Sequence, residues 1–150
     1  MMVNLKDYSI LTDGEIDIVL SEKREEDIVK GRSAEYKFKI LLHNSENIIG
    51  RISLRIGNME KVVKYIGHIG YGIEEEYRGN KYAAKACKLI KQVAKENGLD
   101  SIIITCNPDN YASRHICEYI GANLIEIIDI PKTSDAYSVG ETKKCRYEWI

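Results

Sequence analysis

The sequence lacks a surplus of either charge and has no long apolar run. Its 22 Lys+Arg residues against 23 Asp+Glu give a formal net charge of -1, so there is no overall basic field of the kind that drives nonspecific binding to nucleic acids. No apolar run approaches the roughly 20 residues that cross a bilayer, and residues 1–6 lack the apolar core of a secretion signal. We therefore expect a cytoplasmic protein with neither a nucleic-acid partner nor a membrane partner.

Proline and cysteine are also scarce, and their distribution excludes two further classes of protein. The 2 prolines and the absence of low-complexity tracts leave no candidate linker, so the 150 residues predict a single domain spanning 1–150. The 4 cysteines have no CxxC pair and no histidine at metal-ligand spacing, so we predict no metal site and free, packed thiols. These cysteines are Cys87, Cys106, Cys117 and Cys145.

Alternation of polar and apolar residues recurs along the chain and predicts strands. A turn at 43–46 predicts that two of these strands form a hairpin, and the continuous apolar run Ile102–Ile104 predicts a buried strand. The seven predicted strands are Glu15–Leu20, Glu35–Ile40, Asn47–Ile56, Tyr65–Ile73, Ile102–Ile104, Leu124–Ile130 and Lys143–Ile150.

Two segments have helical periodicity instead. From Lys81 to about Asn97, apolar residues fall on one face and lysines on the other. Asn110 is a good N-cap for a second helix that ends at Ile120, and Pro131–Glu141 is predicted to be a loop. The order β-β-β-β-α-β-α-β-β predicts an α/β (α+β) fold, with a mixed, mostly antiparallel twisted sheet of about seven strands flanked by helices.

The stretch EEEYRGNKYAAKACKLI, residues 74–90, places a glycine-bearing turn at the start of the first helix. Backbone N–H groups at a helix start point outward unpaired, and the helix dipole adds positive potential, so such a turn favours an anion. The spacing is not that of a P-loop, and RGNKYA lacks the three glycines of a dinucleotide fingerprint. The remaining interpretation is a backbone cradle for a pyrophosphate.

Two segments, YRGNKYAAKACKLI and IIITCNPDNYASRHICEYIGANLIE, resemble the coenzyme A-binding core of the GCN5-related N-acetyltransferases (GNAT). The resemblance covers about 67–126, and the predicted strand order on either side agrees with the family. It implies the GNAT fold and acetyl-CoA as cosubstrate, without a metal. The Asn-x-x-Ser element without a later tyrosine is similar to the branch that acetylates ribosomal-protein N-termini.

The resemblance implies that the backbone amides of the turn hold the pyrophosphate of acetyl-CoA. Arg78 and Ala83 match the first and last positions of the family motif, whereas Lys81 replaces its central glycine. A side chain is tolerable there provided that the local φ stays negative, and Lys81 either contacts a phosphate or is simply solvated. The implied cradle residues are Arg78, Gly79, Asn80, Lys81, Tyr82, Ala83 and Ala84.

The strand before the turn has a second implied role. In the family its backbone pairs with the pantetheine arm and donates an N–H to the thioester oxygen, which is the electrostatic stabilisation that acyl transfer needs. Tyr71 and Ile73 occupy the matching stretch. The alternative is a plain buried strand, which the glycines at 67, 70 and 72 make less attractive because a glycine inside a strand often marks a close approach by another backbone or a ligand.

The second helix supplies the other implied contacts. Asn110 and Ser113 match the family's Asn-x-x-Ser/Ala element beside the cofactor, and Arg114 follows them; the alternative is that Asn110 is only an N-cap. The family often has a tyrosine four residues later as general acid for the departing thiolate, but this chain has Cys117 there. A thiol is able to donate a proton, although cysteine is more often a buried structural residue.

A general base would have to remove a proton from an ammonium group near neutral pH. The candidates are Glu74, Glu75 and Glu76 at the strand end, which are otherwise a solvated loop, and His68. Strand alternation puts His68 on the face opposite Tyr71, so we do not assign it as the base. The candidate catalytic residues are therefore Tyr71, Glu76 and Cys117.

These patterns together predict an acetyl-CoA-dependent N-acetyltransferase in which a primary amine, either a small molecule or a peptide N-terminus, attacks the thioester directly. The segment 21–34 lies where the family has its acceptor-side helices and is short and charged, so the acceptor site is expected to be open or completed by a partner. The alternatives are a non-catalytic CoA-binding sensor or subunit and a plain interaction module. A homodimer is one oligomeric state that the sequence allows.

Overall fold

The computed structural model of the protein describes residues 5–150; the first residues of the segment examined for a secretion signal lie outside that range. None of the helices within it is long and apolar enough to cross a membrane. A single π-helical turn spans Val62–Ile66 and a 3-10 turn spans Glu75–Tyr77. The other elements are β1 (Ile10–Thr12), β2 (Ile16–Arg24), β3 (Ala34–Leu42), β4 (Ile48–Ile56), β5 (Ile69–Ile73), α1 (Tyr82–Glu96), β6 (Ile102–Cys106), α2 (Tyr111–Ile120), β7 (Asn123–Asp129), α3 (Asp135–Ser138) and β8 (Lys143–Trp149).

The strands form two antiparallel sheets, one in the order β1-β2-β3-β4-β5 and the other in the order β6-β8-β7. The predicted α+β class and the β3–β4 hairpin are confirmed, but a single mixed sheet of about seven strands is not what forms. The described strands number eight because Ile10–Thr12 adds a short edge strand, and every pairing within either sheet is antiparallel.

Three other segments differ from the sequence prediction. The strand predicted over Tyr65–Ile73 begins only at Ile69, because the π-helical turn and Gly67, whose φ is 74°, bend the chain before it. The segment 21–34 has no helix: β2 continues to Arg24, and a single bridge between Asp27 and Arg32 closes the loop. The loop predicted over 131–141 contains α3, whose N-cap Ser134 accepts a hydrogen bond from Tyr137 N–H.

The main core lies between the five-stranded sheet and the apolar face of α1. Alternate residues of β3 and β4 point toward the helix, and α1 buries its small and branched residues against them, as its helical periodicity predicts. The Tyr36 hydroxyl donates to Asn97 Oδ1 at 2.8 Å where α1 ends. The face of the sheet remote from α1 carries mostly exposed polar residues of β3 and β4.

The two sheets are joined through His68, just before β5. His68 N–H donates to Ile103 O at 2.7 Å, and Ile103 N–H donates back to His68 Nδ1 at 2.9 Å. Since Nδ1 is an acceptor, the ring proton is on Nε2, which donates to Gly57 O at 2.9 Å. A Cβ on the preceding Gly67 would lie 3.0 Å from both Ile103 O and Thr105 N, so glycine is required for this approach. Within residues 5–150 no ladder pairs β5 with β6.

This histidine should make stability depend on pH. Burial lowers the pKa of His68, so between its folded value and the ordinary value near 6.5 the unfolded chain binds the extra proton. The contribution is therefore intact above about pH 6.5 and is lost as the pH falls below it. We expect the free energy of unfolding, measured by urea denaturation from pH 7.5 to 5, to fall by up to about 1.4 kcal/mol per pH unit more steeply in the wild type than in His68→Gln. Parallel pH profiles would contradict this assignment.

Candidate functional site

A cleft of about 580 Å³ lies between the start of α1, the start of α2 and the end of β5, a volume within the range of small-molecule sites. We call it the α1–α2 cleft. Tyr71 and Ile73 contribute from β5, and Ser113 and Ile116 from α2. The remaining residues that line it are Gly72, Tyr77, Arg78, Gly79, Lys81, Tyr82, Ala83, Asn110 and Ala112.

The turn between β5 and α1 presents an uncapped helix start to this cleft. Lys81 is the N-cap of α1 and makes no side-chain capping hydrogen bond, so the first N–H groups of a 15-residue helix have no side-chain cap. Gly79 has a φ of 88°, and Asn80 Nδ2 donates to Tyr77 O at 3.1 Å, which fixes the turn. Ala83 and Ala84 are buried, so the helix backbone lies close to the cleft floor. This arrangement suits a bound anion.

The φ of Lys81 is not negative, contrary to what we expected for a residue with a side chain at this position. Its φ is 62° and its ψ is 22°, in the left-handed region, where a side chain costs about 1–2 kcal/mol. The Lys81 ammonium lies 4.5 Å from the ring centroid of Tyr119, and that of Lys88 lies 5.1 Å from the same ring. A cation–π contact at an exposed site offsets part of that cost.

The edge of β5 that faces β6 has free backbone groups. Arg55 N–H donates to His68 O, and Glu74 N–H donates to Ile49 O, so by the antiparallel alternation the amides of Tyr71 and Ile73 point to the other edge. The Arg78 guanidinium donates through Nε to Ile73 O at 2.9 Å. Arg78 therefore closes the end of this edge, and the N–H groups of Tyr71 and Ile73 line the cleft beside it.

Tyr71 also joins β5 to α2. Its hydroxyl donates to Ser113 Oγ at 3.1 Å, and Ser113 N–H donates to Asn110 Oδ1 at 3.2 Å, which caps α2. Burial raises the pKa of Tyr71 well above its ordinary range, so the hydroxyl keeps its proton at neutral pH. Asn110 is therefore the N-cap of α2, as the sequence predicts, and it also lines the cleft.

Cys117 is wholly buried and does not line the cleft. Burial raises its pKa to about 12, so the thiol is neutral and packed among apolar side chains. The four cysteines are free and buried, as the sequence predicts. Glu76 lies exposed on the 3-10 turn, outside the residues that line the cleft.

Arg114 is directed away from the cleft. Its Nε donates to the Tyr147 hydroxyl at 3.1 Å and its other guanidinium nitrogen to Pro108 O at 3.1 Å. These bonds tie α2 to β8 and to the loop that precedes α2. Within residues 5–150 there is no cluster of three or more His, Cys, Asp or Glu side chains able to hold a metal ion.

Two further cavities reach Tyr71 from other directions. One of about 830 Å³ lies against the loop between β7 and β8 and shares Tyr71, Asn110 and Ser113 with the α1–α2 cleft. The other, of about 480 Å³, lies on the face of the five-stranded sheet remote from α1 and includes Gly70, Tyr71 and Gly72; we call it the open-face cavity. Neither cavity is predicted from the sequence, because the walls of each come from segments that are far apart in the chain.

A comparison with protein families gives a match between residues 11–123 and the model described as an Acetyltransferase (GNAT) domain. The chain belongs to the GNAT family. The GNAT resemblance stated from the turn and the Asn-x-x-Ser element is thereby confirmed.

The chain is similar to an uncharacterized N-acetyltransferase, YnaD, of Bacillus subtilis (strain 168). The two are 33% identical over 97 residues, covering 61% of this chain and 52% of that protein. The ribosomal-protein-S5-alanine acetyltransferase of Vibrio fischeri is 23% identical with a TM-score of 0.61, covering 77% of this chain and 61% of the other. The microcin C7 self-immunity acetyltransferase MccE, in complex with acetyl-CoA and AMP, is 19% identical with a TM-score of 0.60, covering 77% and 61%. The chain spans about half the length of YnaD, and the two structures show a common fold.

The left-handed backbone at Lys81 gives a direct test of the turn geometry. Lys81→Gly should leave the free energy of unfolding within about 1 kcal/mol of the wild type, because glycine adopts this conformation freely but loses the Tyr119 contact. Lys81→Val should be less stable than Lys81→Gly by about 1–2 kcal/mol, since a β-branched side chain is most strained there. Urea denaturation measures both, and equal stabilities would contradict the left-handed assignment.

Proposed function

We propose that this protein is an acetyl-CoA-dependent N-acetyltransferase that transfers an acetyl group to a primary amine in a ternary complex. The observation that carries the proposal is that the free edge of β5 and the uncapped start of α1 face the same cleft. A ligand with an amide-rich arm and a pyrophosphate uses both surfaces at once, through β-type pairing and through anion binding at a helix start. The GNAT family membership supports this choice of ligand.

The fit can be followed along the cleft. The N–H groups between Gly79 and Ala84 would receive the pyrophosphate, and the edge amides of Tyr71 and Ile73 would pair with the pantetheine arm and donate to the thioester oxygen as negative charge develops there. An N–H held in position for that charge lowers the barrier to acyl transfer. Acetyl-CoA supplies the activated acetyl group.

The reaction balances without a covalent enzyme intermediate. The amine nitrogen forms a bond to the acetyl carbon, the carbon–sulfur bond breaks, the nitrogen loses a proton and the CoA thiolate gains one. Holding both reactants at the β5 edge supplies the proximity on which such a direct attack depends. Tyr71 is the group that we assign to protonate the thiolate, because its hydroxyl lies beside the cleft and is hydrogen-bonded to Ser113, which also lines it. Cys117 has no access to the cleft and is assigned a packing role.

Two alanines at the start of α1 test the cradle by titration calorimetry with acetyl-CoA. Ala83 lines the cleft, whereas its buried neighbour Ala84 does not. We expect micromolar binding by the wild type, at least about tenfold weaker binding by Ala83→Val, and near wild-type affinity for Ala84→Val, because both variants pay a similar packing cost but only one crowds the ligand. Equal affinity of both variants for acetyl-CoA would contradict pyrophosphate binding at this turn.

Tyr71 and Cys117 are separated by their effects on turnover, measured as thiol release with a panel of peptide and small-molecule amines. Tyr71→Phe should lower kcat by at least about tenfold while leaving acetyl-CoA affinity unchanged, because general acid catalysis contributes about 100-fold or more. Cys117→Ala should leave kcat within about twofold. A full rate in Tyr71→Phe would refute its role as the acid.

The second candidate is a CoA-binding sensor or subunit without turnover. The observation in its favour is that neither Cys117 nor Glu76, two of the three candidate catalytic residues, lies in the cleft. This candidate shares the binding prediction for Ala83 and differs in the absence of thiol release with every amine tested.

A further inference from the structure

The face of the five-stranded sheet remote from α1 brings two cations directly opposite each other. Lys39 on β3 pairs with Arg51 on β4, and Arg51 in turn pairs with Gly72 on β5. Both side chains are exposed and both line the open-face cavity. Like charges directly opposite on neighbouring strands destabilise a sheet.

Neither of these two cations has an ion-pair partner in the part of the chain that the structure describes. Among residues 5–150, no carboxylate lies within ion-pair distance of Lys39 or Arg51, and neither side chain donates a hydrogen bond. The third cation of the cavity, Lys37, has a partner in Glu22 at 3.4 Å. On the neighbouring strand β2, the side chain of Asp17, two residues from the partner of Lys39, is hydrogen-bonded to His43 Nδ1 at 2.8 Å. Among the described residues, therefore, nothing competes with an anion for these two positive charges.

The cavity leads from this cation pair to the site of acetyl transfer. Gly72 and Tyr71 line both the open-face cavity and the α1–α2 cleft. A Cβ added at Gly72 would meet nothing within 4 Å, so on this face the backbone of β5 is bare and approachable. A molecule lying across the sheet from Arg51 to Gly72 would thus have one end at the cations and the other beside the β5 edge.

We infer that the acceptor is a peptide N-terminus followed by an acidic residue at its second or third position, whose carboxylate binds Lys39 and Arg51 together. This inference rests on the proposed function for the position of the amine. Neighbouring strands are about 4.8 Å apart, so Lys39 lies roughly 10 Å from β5 across two spacings. In an extended peptide, at about 3.3 Å per residue, the second and third side chains lie roughly that far from the amine once side-chain reach is added.

The same distance argues against a free amino acid as the preferred acceptor. Its carboxylate lies close to its amine, so it reaches Arg51, one strand spacing from β5, but leaves Lys39 unpaired. A peptide without acidic side chains reaches across the cavity but leaves the cations unpaired. The inference therefore concerns charge as well as length, and a pair of isosteric peptides separates the two.

The test uses a short peptide that begins Ser-Asp-Glu and its amide counterpart that begins Ser-Asn-Gln, each labelled with fluorescein at the carboxyl end. Binding to the wild-type protein is measured by fluorescence anisotropy, and kcat/KM by thiol release from acetyl-CoA. We expect the acidic peptide to be favoured by about tenfold in both measurements, because charge-assisted contacts are the stronger ones, and we expect the preference to shrink as salt is added.

Single substitutions test whether the preference for the acidic peptide depends on the cation pair. Arg51→Gln and Lys39→Gln should each reduce it to about twofold or less, and Lys37→Gln, which removes the cation already paired with Glu22, should retain it. Arg51→Gln and Lys39→Gln should each be no less stable than the wild type, since each relieves a like-charge pair. Their acetyl-CoA affinity should be unchanged.

Different results would contradict the acidic-peptide inference and the proposed acetyltransferase function. Equal binding of the acidic and amide peptides, or a preference that survives Arg51→Gln and Lys39→Gln, would overturn the inference while leaving acetyl transfer in place. A preserved acidic preference in anisotropy together with no acetyl-CoA binding by calorimetry would uphold the peptide site and overturn the proposed function.

Discussion

The reciprocal pair of hydrogen bonds between His68 and Ile103 is the constraint on which the arrangement of this protein depends. It fixes the two sheets to each other at the start of β5, and Gly67 allows the backbones to approach because a side chain there would meet β6. Beyond that junction no ladder joins β5 and β6 within residues 5–150. The free edge of β5 is thus a product of the same geometry that holds the sheets together, and burial favours the neutral histidine, which the hydrogen bond accepted by Nδ1 requires.

In the proposed reaction, the two faces of the sheet around this edge would bind different substrates. The α1 side provides an uncapped helix start and the Tyr71–Ser113 pair, which suit a phosphorylated cosubstrate and a leaving thiolate. The remote side is open, because segment 21–34 forms no helix over it, and Gly72 leaves the β5 backbone bare there. The cation pair on that side is costly for the free protein, and the inferred acidic acceptor would neutralise it.

The sequence predicts most of what depends on local pattern and little of what depends on neighbours across the sheet. Helices α1 and α2, the β3–β4 hairpin and the glycine-bearing turn before α1 follow from periodicity, capping and glycine placement. The division into two sheets does not, because it results from the bend at Gly67 and from side-chain contacts of His68. The left-handed Lys81 was unexpected, since nothing local indicates that Tyr119 lies beneath its ammonium. Lys39 and Arg51 are twelve positions apart, and only the register of β3 and β4 brings them together.

The central claim is that backbone N–H groups of the turn and of the β5 edge hold one ligand, and amide-resolved NMR of the labelled protein tests it most directly. Titration with acetyl-CoA should shift the amide signals of Gly79–Ala84 and of Tyr71 and Ile73 together, with a single affinity, and leave those of Lys39 and Arg51 nearly unmoved. Shifts confined to the turn would mean that the β5 edge takes no part in binding. Shifts at neither surface would contradict the account.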